Sequence, residues 1–485
     1  MESNSGKAQL EALLQLIQSA TYNAIAEYET TGYGVPRPGD TQRHHLDDSG
    51  EAFELRKAVR ILESACERLC TTLAQPMHTL INRSMSFEAP CIQLATSNRI
   101  ADILQDAPEA GMHVNDIATK AKLAPEKLRQ VLLLLATRGC FTEVSKDVYI
   151  NNRLSLALLS SNPVSAYVAM MSGDLLHGAT AIPEALVHPE YAFSTAVDKT
   201  PFSYLIRNEM SNATFYEWYT ANPEKDELFQ RGLKGANRIT GSTGAATKVY
   251  PWEAIMPVDR KLTFCDVGSG VGTIGLALAR AYPSRFKFVL QDLHGPLKQA
   301  EKVWSEEHEE IPAAGGQSEV VDFVPLDFLN QSPVPNQDIY FMGHIIHNWP
   351  DSEARTILRN VAKAMSTSSR ILIHDIVLYH PHHQWGAHQS KLSMEPVSSY
   401  LLLSAITVLK DEQAPEPLLP NYGTGNIFHF SQSINMLASF NSRERTVEEF
   451  VELGEQAGLE LIKIWALSTL SLLEFKLAVD NDGTS

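Results

Sequence analysis

Apolar positions follow two different periods along this chain. Before residue 256 they recur mostly at helical spacing, as Leu10, Leu14 and Ile17 do within the stretch 9–28. From residue 261 onward, short apolar runs alternate with amphipathic stretches. That alternation predicts strands and helices in turn, as in a doubly wound α/β sheet.

Seven of the apolar runs are predicted strands of one Rossmann-like sheet in a domain spanning 256–480. They lie at 263–267, 286–291, 320–325, 339–343, 370–377, 461–465 and 470–476. The stretch 166–255 is predicted to be a helical linker, with breaks at Pro183, Pro189 and Pro223. We therefore expect an α/β fold with helical additions on its N-terminal side.

The first 165 residues are predicted to form a helical domain. Helices are expected at 9–28, 52–81, 93–104, 114–121 and 125–137, and strand-like pieces at 141–144 and 148–150. The last three helices followed by a two-stranded ribbon are typical of a winged helix. The segment 1–165 is therefore predicted to be a winged-helix domain.

Winged helices often bind DNA, but the charge of this chain argues against it. Asp and Glu number 57 against 40 Lys and Arg, a formal net charge of −17, whereas a DNA-binding surface needs basic residues to release counterions. The third helix offers only Lys127 and Arg129 near its start. We expect no nucleic-acid partner and interpret the winged helix as a packing and dimerisation module.

The composition is typical of globular proteins. Hydrophobic residues make up 44% and charged residues 20%, and no apolar run approaches the ~18 residues that span a bilayer. The N-terminus lacks the apolar region of a secretory signal. The sequence thus predicts a cytoplasmic protein with no membrane partner.

The most informative motif follows the first predicted strand. It reads Asp266-Val267-Gly268-Ser269-Gly270-Val271-Gly272. Three glycines at alternate positions allow a tight turn against a ligand, and the next helix points its amides into that turn. Asp292 ends the second strand about twenty residues later, where a carboxylate reaches the hydroxyls of a ribose. The motif predicts a nucleoside-containing cofactor.

The spacing of the glycines in this loop and the acidic residue before them favour one such cofactor. Dinucleotide folds usually have G-x-G-x-x-G, whereas this loop has G-x-G-x-G preceded by Asp266. An acidic residue instead of a pyrophosphate cradle suits a ligand with no phosphates and a positive end. S-adenosylmethionine, with its ammonium and sulfonium groups, fits this description better than a nicotinamide dinucleotide.

His347 is the sharpest candidate for a catalytic base. It follows the strand 339–343 and so lies at the carboxyl edge of the sheet, where doubly wound folds bind ligands, and its ordinary pKa of about 6.5 suits proton transfer. Asp375 and Glu444 could each orient the imidazole. The competing interpretations are a histidine that only caps a helix and, for Glu444, a solvated charge at a helix start.

Two further groups invite interpretation. Asp327 and Phe328 follow the third strand and suit an adenine, although an ordinary strand-end turn has equal weight without the glycine loop. Histidines also crowd one stretch, at His374, His380, His382, His383 and His388. Their spacing through a proline-broken segment gives no fixed ligand geometry, so we interpret it as a solvated loop and expect no metal.

The order and spacing of these motifs resemble those of the plant-type small-molecule O-methyltransferases, a metal-independent family. The matching segments are 266–272, 291–293, 327–328, 347–351 and 444–446. The run 414–423 resembles an insertion typical of the fungal branch. The likeness covers nearly the whole chain, and it implies a homodimer in which the winged helix closes the partner's pocket.

The resemblance implies a role for each matched residue. Expected cofactor-binding residues, for S-adenosylmethionine, are Asp266, Gly268, Gly270, Gly272, Asp292, Leu293, Asp327 and Phe328. Expected catalytic residues are His347 as general base with Asp375 and Glu444 beside it. The segment that begins at Phe215 resembles the helical stretch that covers the cofactor and acceptor. Independently of the resemblance, the apolar residues Met342, Met436 and Phe440 lie near the motifs in sequence and are expected near the acceptor.

Two positions depart from the family pattern. The first residue flanking the base is commonly glutamate, and Asp375 is one methylene shorter, so the orienting contact should rest more on Glu444. Four residues before the base, the family usually has Lys or Arg, and this chain has Gly343.

The sequence therefore predicts an S-adenosylmethionine-dependent O-methyltransferase. Its acceptor would be a phenolic or enolic hydroxyl of a small aromatic or polyketide-like secondary metabolite. Two alternatives remain open: a pericyclase or dehydratase on the same fold, which uses the cofactor as a fixed positive charge, and a winged-helix regulator that binds DNA.

Overall fold

The structure is a computed structural model that describes residues 5–48, 52–240, 242–307, 320–382, 413–467 and 469–478. The chain divides into two compact units, Met1–Gly241 and Ser242–Ser485. The three-part division at 165 and 255 stays a prediction. No helix in the described ranges is long and apolar enough to cross a membrane, and the cellular location stays a prediction.

The first unit is mostly helical. Its α-helices are Ser5–Thr30 (α1), Phe53–Leu73 (α2), Pro76–Ser84 (α3), Glu88–Ser97 (α4), Ile100–Gln105 (α5), Val114–Ala121 (α6), Pro125–Thr137 (α7), Pro163–Met170 (α8), Leu176–Thr180 (α9), Ile182–Ala185 (α10), Pro201–Ile206 (α11), Phe215–Ala221 (α12) and Pro223–Thr240 (α13). Its strands are Met112–His113 (β1), Thr142–Ser145 (β2) and Val148–Ile150 (β3), paired in the order β1-β3-β2. The helices α4 to α7 and this small sheet enclose their own hydrophobic core, as in a winged helix.

Two predicted helices of this unit are in fact interrupted. The helix expected at 52–81 breaks between α2 and α3 because Pro76 disfavours helical backbone at the preceding residue, and Gln75 is extended. The helix expected at 93–104 breaks at Arg99, whose φ of +52° is left-handed. The short strand β1 was not predicted.

The second unit alternates strands with helices. Its strands are Leu262–Val267 (β4), Phe286–Asp292 (β5), Val320–Pro325 (β6), Ile339–Gly343 (β7), Arg370–Asp375 (β8), Val377–Leu378 (β9), Arg445–Thr446 (β10), Leu459–Ala466 (β11) and Ser471–Leu477 (β12). Its α-helices are Ser242–Val249 (α14), Trp252–Ile255 (α15), Thr273–Ala281 (α16), His294–Glu307 (α17), Asp351–Ala364 (α18), Ile427–Phe440 (α19) and Val447–Gln456 (α20). Short 3-10 helices lie at Ile346–Asn348 and Gly423–Asn426.

One large sheet organises this unit. Among the described residues it has seven strands in the order β11-β12-β8-β7-β4-β5-β6. The strands β8, β7, β4, β5 and β6 are parallel, and β12 runs antiparallel to both of its neighbours. The strand order reverses between β4 and β7, and at such a switch point the carboxyl ends of the strands open a ligand crevice. The predicted Rossmann-like fold is confirmed.

A short parallel ribbon lies beside the carboxyl end of β8. The strand predicted at 370–377 ends at Asp375, and Val377–Leu378 leaves the sheet to pair with Arg445–Thr446. This ribbon brings residues 444 and 445 next to the end of β8, across a long separation in sequence. It is the element that completes the site.

Candidate active site

The glycine loop between β4 and α16 turns through left-handed backbone. Gly268, Gly270 and Gly272 have φ angles of +73°, +52° and +74°, which favour glycine. A Cβ at Gly268 would lie 2.4 Å from Ile345 Cδ1, and one at Gly272 would lie 2.6 Å from Leu290 Cδ1. A Cβ at Gly270 would meet nothing within 4 Å in the described part of the chain. The loop is therefore packed at its ends and open at its middle.

Two carboxylates flank this loop. Asp292 accepts hydrogen bonds from the backbone N–H groups of Gly270 (2.8 Å) and Leu293 (2.7 Å). Asp266 is buried, and that burial, with the nearby charge of Asp292, raises its pKa to about 8. Burial also raises the pKa of Asp292, against the effect of its two hydrogen bonds. Since a cation stabilises two such crowded carboxylates, the loop fits a ligand with a positive end.

The base candidate lies in the turn that follows β7. His347 belongs to the 3-10 helix Ile346–Asn348, and it is 8% exposed. Within this turn, the side-chain amide of Asn348 donates to the carbonyl of His344 at 3.0 Å. His344 itself has left-handed backbone, with φ +58°, and its N–H donates to the carbonyl of His374 at 3.0 Å.

Arg445 fixes the same turn from the other side. Its side chain is fully buried and donates to the carbonyls of Ile346 (2.8 Å) and Trp349 (2.7 Å). Its guanidinium also pairs with Asp351 Oδ1 at 2.8 Å. One buried fork thus binds both ends of the turn that carries His347.

Glu444 contacts the base directly. Its Oε1 lies 2.8 Å from His347 Nδ1, and its side chain is fully buried. A carboxylate accepts, so Nδ1 carries a proton, and in the neutral form of the ring Nε2 presents a lone pair. The prediction that the orienting contact rests on Glu444 agrees with this geometry.

Asp375 adjoins this pair at the end of β8. It is wholly buried, and a carboxylate oxygen lies within 4.8 Å of a ring nitrogen of His347. Burial raises the pKa of Asp375 to about 7, although the nearby His347 imidazolium opposes the rise. Burial disfavours the charged form of His347 too, but the charges of Glu444 and Asp375 outweigh it and raise its pKa to about 9.

The expected adenine residues lie at the end of β6. Asp327 Oδ1 accepts from the N–H of Leu329 at 3.1 Å, and its Oδ2 accepts from the side chain of Asn330 at 2.7 Å. Phe328 packs edge-on against Trp349, with ring centroids 5.8 Å apart. Leu293 is 60% exposed. The carboxylate thus serves a strand-end turn, and the contacts of these residues with adenine stay predictions.

The expected acceptor residues differ in their surroundings. Met342 is buried in the main hydrophobic core of the second unit, so we leave it out of the proposed pocket. Met436 and Phe440 are buried on α19. Phe215 belongs to the first unit, where it packs against Tyr219 and Phe229. The roles of these side chains toward the acceptor stay predictions.

The histidine-rich stretch was only partly interpreted correctly. His374 is buried in β8 rather than solvated, because its strand lies inside the sheet. His380 and His382 are exposed, with ring centroids 5.3 Å apart, whereas His383 and His388 lie outside the described residues. The expectation that no metal binds is not tested by a structure without ligands.

Sequence reasoning missed His344 and Arg445. His344 stands three residues before the base, with its ring centroid 5.5 Å from that of His347. The spacing H-x-x-H was visible in the sequence, but the turn that joins the rings was not. The unusual Gly343 has a local cause, because a Cβ there would lie 2.9 Å from the ring of Phe341.

Comparisons with known proteins identify the class of this fold and site. Residues 196–404 match the O-methyltransferase domain family. The 3-O-methyltransferase 2 of Phanerochaete chrysosporium is 36% identical over 471 residues, which cover 96% of this chain and 97% of the relative. The O-methyltransferase tpcA of Aspergillus fumigatus is 28% identical over 505 residues, 96% of this chain and 95% of the relative. Among solved structures, LepI in complex with SAM has a TM-score of 0.64 and 18% identity, over 89% of this chain and 96% of that one.

The chain belongs to the O-methyltransferase family, in its fungal branch. It is therefore an enzyme that uses S-adenosylmethionine to methylate a small-molecule acceptor of secondary metabolism. The open glycine loop and its two crowded carboxylates fit that cofactor.

Proposed function

We propose that this enzyme methylates a phenolic or enolic hydroxyl of a small aromatic or polyketide-like metabolite, with His347 as general base. The observation that carries the proposal is the buried pair His347 Nδ1···Glu444 Oε1 at 2.8 Å. In the neutral imidazole it leaves Nε2 as an acceptor beside the crevice formed where the strand order reverses. A hydroxyl group is the acceptor that needs such a base.

When bound, S-adenosylmethionine supplies a methyl group already activated by its sulfonium. The protein's own tasks are then to align the hydroxyl and remove its proton. Alignment in a fixed pocket lowers the barrier by several kcal/mol, and a positioned base typically adds about 10²–10⁴-fold in rate. His347 Nε2 accepts the proton, and the charges of Glu444 and Asp375 stabilise the imidazolium that forms.

We propose cofactor contacts for the residues of the loop and its neighbours. Gly270 would allow the methionine part to approach the backbone, and Asp266 would face its ammonium group. Asp292 would bind the ribose through the lone pairs not used by Gly270 and Leu293. Asp327, Phe328 and Leu293 would surround the adenine.

The base assignment can be tested with His347→Ala. We expect kcat to fall by about 10²–10⁴-fold, while the affinity for S-adenosylhomocysteine, measured by calorimetry, changes little. His382→Ala, at an exposed histidine, serves as the matched control and should keep full activity. Loss of cofactor binding in His347→Ala, or retention of its activity, would contradict the assignment.

The acceptor class can be tested with a labelled methyl donor and a panel of polyphenols and enolic polyketides. We expect label in products that gain the mass of one CH₂. A product of unchanged mass, formed only in the presence of the cofactor, would instead indicate a rearranging enzyme on the same fold.

We also propose that the enzyme is a homodimer joined through its N-terminal unit and that it does not bind DNA. Arg129, one of only two basic residues at the start of α7, pairs with Asp147 at 2.7 Å, and the net charge is −17. These features oppose counterion release from DNA.

A further inference from the structure

The turn that carries His347, residues 344–349, is called the base turn. Together with the adjoining end of β8, it holds more nitrogen and oxygen atoms that could bind a metal than proton transfer requires. One donor atom each from His344, His347 and Asp375 lies within 4.8 Å of the others. His347 and Asp375 are buried, and His344 is half-buried. Two imidazoles and one carboxylate are a ligand set typical of Zn²⁺ and related divalent transition metals.

His344 reaches this cluster through an unfavourable backbone conformation. A left-handed φ of +58° is uncommon for a residue other than glycine. Two hydrogen bonds maintain it: His344 N–H donates to His374 O at 3.0 Å, and Asn348 donates to His344 O at 3.0 Å. With this backbone, the ring of His344 lies beside that of His347, at a centroid distance of 5.5 Å.

Asp375 supplies the second, independent observation. In the described part of the chain, neither of its buried carboxylate oxygens makes a hydrogen bond of good geometry, and the backbone N–H of His347 gives the group only a weak contact. A buried carboxylate with so little hydrogen bonding is costly. A cation at this position would satisfy it.

The support around His347 also suits a metal ligand. Glu444 accepts from Nδ1, so that in the neutral ring Nε2 holds the lone pair a metal ion would bind. In metal sites, histidine ligands almost always donate their second ring N–H to a carboxylate or carbonyl in this way. The contact that orients a base thus equally orients a ligand.

We propose that His344, His347 and Asp375 bind one divalent transition-metal ion of the Zn²⁺ class, and that the bound ion inhibits the enzyme. The lone pair on His347 Nε2 can take the hydroxyl proton or bind the metal, but it cannot do both at once. Metal binding stands independently of the proposed function, whereas inhibition rests on His347 as the base.

To test binding, Co²⁺ is titrated into tag-free, chelator-treated protein, and its binding is followed by visible absorption. Zn²⁺ is then added to displace the bound Co²⁺. We expect one ion per chain and no displacement by Mg²⁺, which prefers oxygen ligands. His344→Asn should weaken binding by at least about tenfold, since even the loss of an outer-shell partner costs 10–100-fold. Asparagine tolerates left-handed backbone, and thermal melting will verify that the variant folds.

His382→Asn is the matched control, because His382 is an exposed histidine outside the cluster. Its metal affinity should equal that of the wild type. The proposal is overturned if Co²⁺ does not bind saturably, if His344→Asn binds as tightly as the wild type, or if His382→Asn removes the site.

Inhibition is tested by methyl transfer with added Zn²⁺. Wild-type activity should fall with one equivalent bound and return with chelator. His344→Asn, compared with its own chelated rate, should need about tenfold more Zn²⁺ for the same inhibition. Zn²⁺ that raises the rate, or inhibits both proteins equally, would overturn this part. If no acceptor is methylated at all, the Co²⁺ titration still decides whether the site exists.

Discussion

At the scale of single residues, the interaction of Glu444 with His347 sets the working pH. The base works in its neutral form, and its pKa is raised to about 9, so the rate should increase with pH through neutrality. Glu444→Gln removes a charge 2.8 Å from Nδ1, which should move this increase to lower pH by about 1–3 units. The maximal rate should also fall, because an amide cannot stabilise the imidazolium.

This prediction is checked with pH–rate profiles of the wild type and Glu444→Gln, both in chelator. An unchanged midpoint in the variant would show that Glu444 does not influence the base. Glu449→Gln provides a control, because that carboxylate pairs with Arg443 and lies on α20.

Asp266 predicts a proton linked to cofactor binding. Its pKa in the unliganded protein is raised to about 8, above the ~3.9 of an unfolded chain. The raised pKa of this acid therefore lowers the stability of the unliganded protein as pH rises from ~4 to ~8. A cationic ligand lowers that pKa, so binding at pH 7 should release a proton.

Calorimetry in buffers of different ionisation enthalpy measures this release directly. We expect Asp266→Asn to bind the cofactor more weakly and to release fewer protons than the wild type. Equal proton release by Asp266→Asn and the wild type would assign the linkage to another group.

The same scale shows which site residues a sequence can reveal. Asp292 and His347 could be located because each follows an apolar strand, and strand ends in a doubly wound sheet meet at one edge. Glu444 is 97 residues from His347, so no local pattern connects them: the residues left it as one of two candidate carboxylates, and the resemblance favoured it. His344 was missed because its role depends on a left-handed turn, which no hydrophobic period encodes.

At the scale of elements, the base turn depends on Arg445. Its guanidinium fork reaches two carbonyls and Asp351 simultaneously, and the single ammonium of lysine cannot reproduce that geometry. Arg445→Lys should therefore displace His347, and a displacement of about 1 Å lowers kcat by about 10²-fold. The cofactor affinity should stay close to that of the wild type.

Arg443→Lys is the matched control for this substitution. Arg443 also pairs with Asp351, at 2.9 Å, but its side chain is 43% exposed. We expect little change in kcat, because an exposed ion pair contributes little. Equal losses in the two variants would mean that Asp351, rather than the turn, is the sensitive partner.

Elements were predictable where one physical signal dominated. The sheet strands could be located within one or two residues because each is an apolar run between polar loops. The ribbon formed by Val377–Leu378 and Arg445–Thr446 could not, since two-residue strands have no period. The break before Pro76 was available in the sequence, because proline removes an N–H donor and restricts the preceding residue.

At the scale of the whole molecule, the distribution of exposed apolar side chains predicts how two copies associate. The core of the winged helix is complete by itself, so the contact should lie elsewhere in the first unit. Large apolar side chains exposed around α3 are Leu73, Met77, Leu80, Ile81, Met85 and Phe87, between 47% and 74% exposed. Such an exposed set marks an interaction surface, and a second copy is the partner that the family resemblance implies.

Charges on this surface should separate the copies. We expect the wild type to sediment as a dimer and the double variant Met77→Asp and Leu80→Asp to sediment as a monomer with unchanged helical content. The control pair Val187→Asp and Phe193→Asp alters side chains that are more exposed than these, at 78% and 96%, and should stay dimeric. Since the resemblance implies that each copy closes its partner's pocket, the monomer should also lose activity. A monomeric wild type, or dissociation of the control pair, would contradict this assignment of the interface to α3.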